Sequence, residues 1–398
     1  MILFVIQLKL KFIHLFKPFY LMRLQKIILF SLLTFLFIAC KNDKTNTEDL
    51  ILDYPLKYAK GFDIQVFENY KKLIIKAPYP EAREQFEYIL IPRGAKISKV
   101  LNKLKIIRTP IKKMVVTSTT HIPMLELLNE ENALSGFPNL TYISSAKTRH
   151  LIAKGKIKEL GNEQDINTEI LLDLQPELVI GFSMSSNNKM FDNIEKAGVP
   201  VVLNGDWLEE TPLGRSEWIK FFGVLFDKEK EANSIFDTIE TAYKDAVVIA
   251  HSATSNPTVL SGALFKDIWN LPAGESFMAQ FLKDANTNYL WAETKGKGSL
   301  SLNFESVFDK GKQAEFWIAP GPHTSLSELK DANQHYIEFD AYKSGNIYSF
   351  ANKKGDNGGV LYYELAPMQP HIVLKDIIKA THPELLANYK PFFLEKLN

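Results

Sequence analysis

The sequence predicts an α/β fold of two lobes, each with a mainly parallel central sheet, joined by one long rigid helix. Three observations lead there. From Lys113 onward, short apolar runs alternate with helical patterns, the order that produces parallel strands covered by helices on both faces. Between Asp227 and Ala253 there is no Gly or Pro, and Ala232, Ile235, Phe236, Ile239, Ala242 and Tyr243 fall at helical spacing. After that stretch the strand and helix alternation restarts in the same order.

The elements follow in chain order. Met22 opens "MRLQKIILFSLLTFLFIAC", with Arg23 and Lys26 ahead of an apolar run that ends at small Ala39 and Cys40. A basic head and an apolar segment too short for a bilayer core of roughly 30 Å describe a secretory signal, with Met22 as the expected start. Cys40 is the only cysteine. A lone cysteine closing a signal segment resembles a bacterial lipobox, so residues 1–40 are expected to be a signal peptide that leaves Cys40 lipidated. The polar run "KNDKTNTED" makes 41–60 an expected tether. In 61–112, "FDIQVF", "KLIIKAP" and "YILIP" predict an N-terminal β-rich extension.

The first α/β lobe is expected over 113–226. Its strands are "KMVVTST", "ALSGF", "ELVIGFS" and "VPVVLNGD", and Gly198 stops the helix "NKMFDNIEKAG". The linking helix covers 227–253. The second lobe, 254–398, carries strands "PTVLSGA", "NYLWA", "EFWIAPG" and "NIYSF". Its last helix starts near Pro370, with an apolar stripe at Ile372, Val373, Ile377 and Ile378.

A formal net charge of +1 with mixed charges along the chain gives no basic stripe for nucleic acid. There is no G-x-G-x-x-G after a strand, no P-loop and no G-x-S-x-G elbow, so the usual signatures of dinucleotide, nucleotide and acyl-transfer enzymes are missing. The expectation is a protein that does no chemistry. A lipid-anchored hydrolase and a structural surface lipoprotein are the weaker alternatives.

One internal echo stands out. "INTEILLDLQPELVIGFS" and, about 135 residues later, "LNFESVFDKGKQAEFWIAPG" place Glu169 and Glu305 at the same point of one pattern. Asn167 and Asn303 can cap the two helices, and a first-turn carboxylate gains about 0.3–1 kcal/mol from the helix dipole. That explains each site singly. Matched carboxylates on two lobes also suit a partner with two basic sockets.

The order strand, helix, "NALSGF", then "KELGNEQDINTEILLDLQPELVIGFS", "KAGVPVV", a long helix and a second α/β lobe resembles the substrate-binding proteins of bacterial importers for iron-siderophore, haem and vitamin B12. The resemblance covers roughly Lys113 to Leu386; residues 41–112 lie outside it. It implies a class III periplasmic binding protein-like fold, a ligand in the cleft between the lobes, and one glutamate per lobe docking on arginines of the membrane permease. Glu169 and Glu305 fall on those positions. The resemblance further implies a monomer in the periplasm, lipid-anchored to the membrane, that serves an ABC permease dimer with its ATPase. Its bound ligand would be an iron chelate, haem or cobalamin, with no resident cofactor.

Loops after the strands are where ligands bind in open α/β lobes. They supply the candidates His121, Tyr142, Phe182, Trp207, Trp269, Trp291 and Tyr362, whose aromatic planes suit a flat macrocycle or catecholate complex. Phe182 and Trp269 fall on aromatic contacts of the vitamin B12-binding member. Glu163 stands where that member has a tryptophan, which argues against strict B12 binding. Arg215 in "TPLGRSEW" can pair with an anionic ligand or with a nearby carboxylate such as Glu217. A receptor for bare zinc or manganese, using three of His121, His150, His323 and His371, is the other alternative; no pair of them has metal-site spacing.

Overall fold

The computed structural model describes residues 50–96, 101, 104–162 and 165–398. Met22, Cys40 and Glu163 lie outside them. Among the described residues no helix is long and apolar enough to cross a membrane.

Each lobe has its own sheet. In the first the strands run in the order Val201–Leu203, Leu178–Gly181, Met114–Val116, Leu134–Phe137 and Lys158–Glu159, all parallel. In the second the order is Asn288–Tyr289, Thr258–Ser261, Phe316–Ile318, Ile347–Ser349 and Glu395–Lys396, with only the last strand antiparallel. The central strands are buried apolar runs, as sheets covered on both faces require, and the short edge strands such as Lys158–Glu159 are exposed. The echo in the sequence is an echo in topology. Helix Thr168–Leu174 leads into Leu178–Gly181, which pairs with the first strand of its lobe; helix Phe304–Gly311 leads into Phe316–Ile318, which does the same.

The second lobe also has a three-stranded antiparallel sheet, Ala263–Phe265, Ile268–Pro272 and Ser299–Leu302, which the alternation did not reveal. Strand Ile268–Pro272 alternates faces, turning Trp269 and Leu271 inward.

The lobes are joined by helix Glu229–Ala250, 22 residues and so about 33 Å long. Ala232, Phe236, Ile239, Tyr243, Ala246 and Ala250 form its buried face. That face packs on helix Ile219–Leu225 of the first lobe and helix Pro370–Thr381 of the second. Each large side chain so buried contributes about 1.5–3 kcal/mol.

Residues 50–60 differ from the expected tether. Leu50–Asp53 is an edge strand of a five-stranded sheet that continues through Phe62–Phe67, Lys71–Ile75, Phe86–Pro92 and Lys105–Thr109. The polar run 41–49 drew the tether too far along the chain: Ala59 joins the main core, with Tyr54, Leu56 and Tyr58 packed against it, and polar contacts add to the hold. Lys57 pairs with Asp237 and Glu240 of the linking helix at 3.1 and 2.7 Å, and the Tyr58 hydroxyl donates to Glu240 at 2.7 Å.

Burial acts to raise the Glu240 carboxyl pKa, but Lys244, Lys57 and Tyr58 outweigh it and hold the value at about 2, against an ordinary 4.5. A value lower folded than unfolded means that this contribution is complete above pH 4.5 and is lost as pH falls towards 2. Urea unfolding across that range should therefore show wild type more stable than Glu240→Gln above pH 4.5, with the gap closing in acid.

Candidate ligand cleft

Three neighbouring parallel strands bring their carboxyl ends to one edge of the first lobe. Ser118, Thr119 and Thr120 follow Met114–Val116, Phe182 follows Leu178–Gly181, and Trp207 follows Val201–Leu203. The Phe182 N–H donates to Thr117 Oγ1 at 3.0 Å, which fixes that turn. Thr120 Oγ1 donates to buried Asp206 at 2.8 Å. These residues, with Pro212 and Arg215, form one wall of a cavity of about 590 Å³. The opposite wall comes from the second lobe, through Phe277, Phe281, Tyr362, Tyr363 and the turn Ala366–Pro370. The volume falls in the usual range for small-molecule sites.

The lining is aromatic and apolar with one cation. The Phe182 and Trp207 rings lie 5.2 Å apart between centroids, and Tyr362 stacks on Phe350 at 4.0 Å. Arg215 donates through Nη2 to the Trp207 carbonyl at 2.7 Å, and its guanidinium carbon lies 3.5 Å from the Phe277 ring centroid. Glu217 is not its partner, because that carboxylate pairs with Lys220 at 2.7 Å. No carboxylate pairs with Arg215 among the described residues, and none lines the cavity. Burial pulls the Arg215 pKa down, against the opposing influence of Tyr362, Asp206 and Glu209, yet a guanidinium stays charged in proteins. The Tyr362 hydroxyl and the Trp207 indole N–H are also buried without a hydrogen-bond partner among the described residues. The walls therefore offer donors and a positive charge to whatever they enclose.

Phe182, Trp207, Arg215 and Tyr362 are thus brought together, and the other candidates lie elsewhere. His121 is buried behind the Ser118–Thr120 loop, packed on Phe222 at 5.4 Å. Trp269 is fully buried in the second lobe, with its indole N–H on the Ser261 carbonyl at 3.1 Å and its ring stacked on Trp317. Trp291 is buried with Lys310 over its ring. Tyr142, 52% exposed, sits on a surface turn. Aromatic residues in loops serve cores and rims alike, and only the fold separates them. Phe277 and Phe281, one helical turn apart in "ESFMAQFLKDA", and Tyr363 beside Tyr362 carried a spacing signal for the second wall that the loop criterion passed over.

Among the described residues, no three of His, Cys, Asp and Glu converge as a metal-ligand set. His323 lines a larger concavity of about 1130 Å³, but that one lies within the second lobe alone. The 590 Å³ cavity differs in drawing its walls from both lobes.

Glu169 and Glu305 occupy the first turns of their helices. Asn167 accepts from the Ile170 N–H at 3.0 Å and Asn303 from the Ser306 N–H at 2.9 Å. Both glutamates are exposed, and neither pairs with a cation among the described residues.

The sequence profile of the family described as periplasmic binding protein matches residues 114–353. An uncharacterized lipoprotein of Methanocaldococcus jannaschii is 23% identical over 366 residues, covering 86% of this chain and 85% of that protein. Among solved structures, a possible iron-binding periplasmic solute-binding protein from Staphylococcus epidermidis matches with a TM-score of 0.55 at 16% identity, covering 69% of this chain and 100% of that one. A periplasmic haem-binding protein from Pseudomonas aeruginosa matches with a TM-score of 0.53 at 17% identity, covering 72% and 98%. Identities this low speak for the fold, and the fold agrees with two lobes on one linking helix. The profile spans more than half of the chain, which belongs to the periplasmic binding protein family, the substrate-binding proteins of ABC transporters.

Proposed function

We propose that this protein captures a metal chelate of the iron-siderophore, haem or cobalamin type in the interlobe cavity and delivers it to a membrane permease driven by an ATPase. The observation that supports the reading is Arg215, a cation with no ion-pair partner among the described residues, in an aromatic cavity whose lining has no carboxylate. A flat, apolar chelate with peripheral carboxylate or phenolate oxygens complements those walls, and the unpartnered Tyr362 and Trp207 donors add to the match. A bare divalent cation does not, since the lining has no imidazole or carboxylate to coordinate it. Phe182, Trp207, Arg215 and Tyr362 are the ligand contacts in this reading.

Lobes at 113–226 and 254–398 would each present one docking carboxylate, Glu169 and Glu305, to basic sockets on the permease. Lipidation at Cys40 would keep the receptor at the envelope membrane beside its transporter; the relative in Methanocaldococcus jannaschii is described as a lipoprotein. Cys40→Ser should move the protein from the membrane to the soluble fraction, and retention in the membrane would contradict the anchor. The ligand reading is tested by titrating the purified protein with haemin, a ferric tris-catecholate and cyanocobalamin, and with zinc as the opposing case.

A further inference from the structure

We infer that the segment Lys57–Gly61, outside the residues that match the family, is a working part of the ligand site: it fixes the cavity wall Asp206–Trp218 and ties it to the rim of the other lobe. The inference rests on the reading of the interlobe cavity as the ligand site.

Five consecutive backbone N–H groups are spent on two glutamates of that wall. Those of Lys57, Tyr58 and Ala59 donate to Glu217 at 2.7–3.0 Å, and those of Lys60 and Gly61 donate to Glu209 at 2.8–3.0 Å. Glu217 is fully buried and Glu209 is 5% exposed. Two buried carboxylates are costly unless hydrogen-bonded; Lys220 on Glu217 and the Trp218 indole on Glu209 satisfy part of their capacity, and the segment supplies the other five donors. Burial pushes the Glu209 carboxyl pKa up, against the N–H donors of Gly61 and Lys60 and the indole N–H of Trp218. The seam is also tight sterically. A Cβ at Gly61 would meet the Trp218 ring at 2.7 Å, and one at Gly205, two residues before Trp207, would meet the Ala77 carbonyl oxygen at 2.0 Å.

Between Glu209 and Glu217 lie Pro212 and Arg215, and Trp207 precedes them, so the anchored stretch carries the cation of the site. The next residue extends the connection across the cleft. Glu210 pairs with Lys60 at 3.1 Å through one oxygen and with Lys297 of the second lobe through the other. Glu209 and Glu217 are therefore positioning residues, acting on the ligand through Trp207 and Arg215.

The test uses the full chain and hydrogen–deuterium exchange. Ala59→Pro removes one buried N–H from Glu217 and should speed exchange of the Asp206–Trp218 amides by about ten-fold or more and weaken haemin binding. Leu329→Ala, a buried truncation in the second lobe, should lower the melting temperature without that local effect and, at a matched loss of melting temperature, leave haemin affinity unchanged. Wild-type protection of 206–218 in Ala59→Pro, or equal deprotection in Leu329→Ala at a matched loss of melting temperature, would overturn the inference. Arg215→Ala separates the two readings. If Ala59→Pro loosens the wall and weakens haemin binding while Arg215→Ala leaves binding unchanged, the wall inference stands through Trp207 and the Arg215 reading falls. If the wall is unmoved and Arg215→Ala loses binding, only the inference falls.

Discussion

Arg215→Ala should weaken chelate binding by roughly 10- to 150-fold, the equivalent of about 1.5–3 kcal/mol for hydrogen bonds to a charged group. The loss falls at the charged end of the scale because no carboxylate among the described residues forms an ion pair with the guanidinium and none lines the cavity, Asp206 and Glu209 acting on it only from farther off. Arg215→Lys should recover only part of the loss. An ammonium keeps the charge but gives up both the planar fork and the stacking on Phe277, where the present contact is 3.5 Å. Arg215 also holds the Trp207 carbonyl at 2.7 Å, so some of the effect would come through a shifted ring. Measuring the melting temperature and the affinity together separates these contributions: a charge effect lowers affinity at nearly constant stability. Unchanged affinity in Arg215→Ala would remove the residue from the site.

The double substitution Glu169→Lys with Glu305→Lys should abolish uptake while ligand affinity stays at the wild-type value. Exposed rim charges govern encounter and register with a partner, and neither carboxylate lines the interlobe cavity. Folding should survive, since the caps at Asn167 and Asn303 remain and each lysine forfeits only about 0.3–1 kcal/mol of helix-dipole interaction. Single reversals should give intermediate uptake if both lobes dock. Cellular uptake alongside in vitro binding decides the matter, and uptake at the wild-type rate in the double variant would contradict docking through these glutamates.

Periodicity carried most of the fold. Alternating strands and helices and the unbroken run at 227–253 announced two parallel lobes and a linker, because burial on both faces leaves continuous apolar strands that are easy to read. The small sheet holding Trp269 was not legible. Its strand Ser299–Leu302 alternates polar Ser299 and Ser301 with leucines only partly buried, a weak pattern beside a glycine-containing loop. The segment at 57–61 was illegible for a different reason: its hold on the body uses backbone N–H groups, which every sequence has, and two glutamates some 150 residues away.

Half of the candidate site shows the same limit. Phe182, Trp207, Arg215 and Tyr362 share the cavity, whereas Trp269 and Trp291 had the same residue type and the same kind of surrounding sequence but turned into the second lobe. Side-chain direction depends on strand face and neighbouring helices, neither of which a loop position states. Glu169 and Glu305 were readable because capping is local: an asparagine two residues ahead places each carboxylate in a first turn whatever the rest of the chain does.

Equilibrium titration by visible absorption, run in parallel on wild type and Arg215→Ala, tests the central claim most directly. Wild type should bind haemin, the ferric tris-catecholate or cyanocobalamin with about micromolar affinity or better, the variant should bind the same chelate at least about ten-fold more weakly, and zinc alone should stabilise neither protein. Stabilisation by zinc with no binding of any chelate would contradict it.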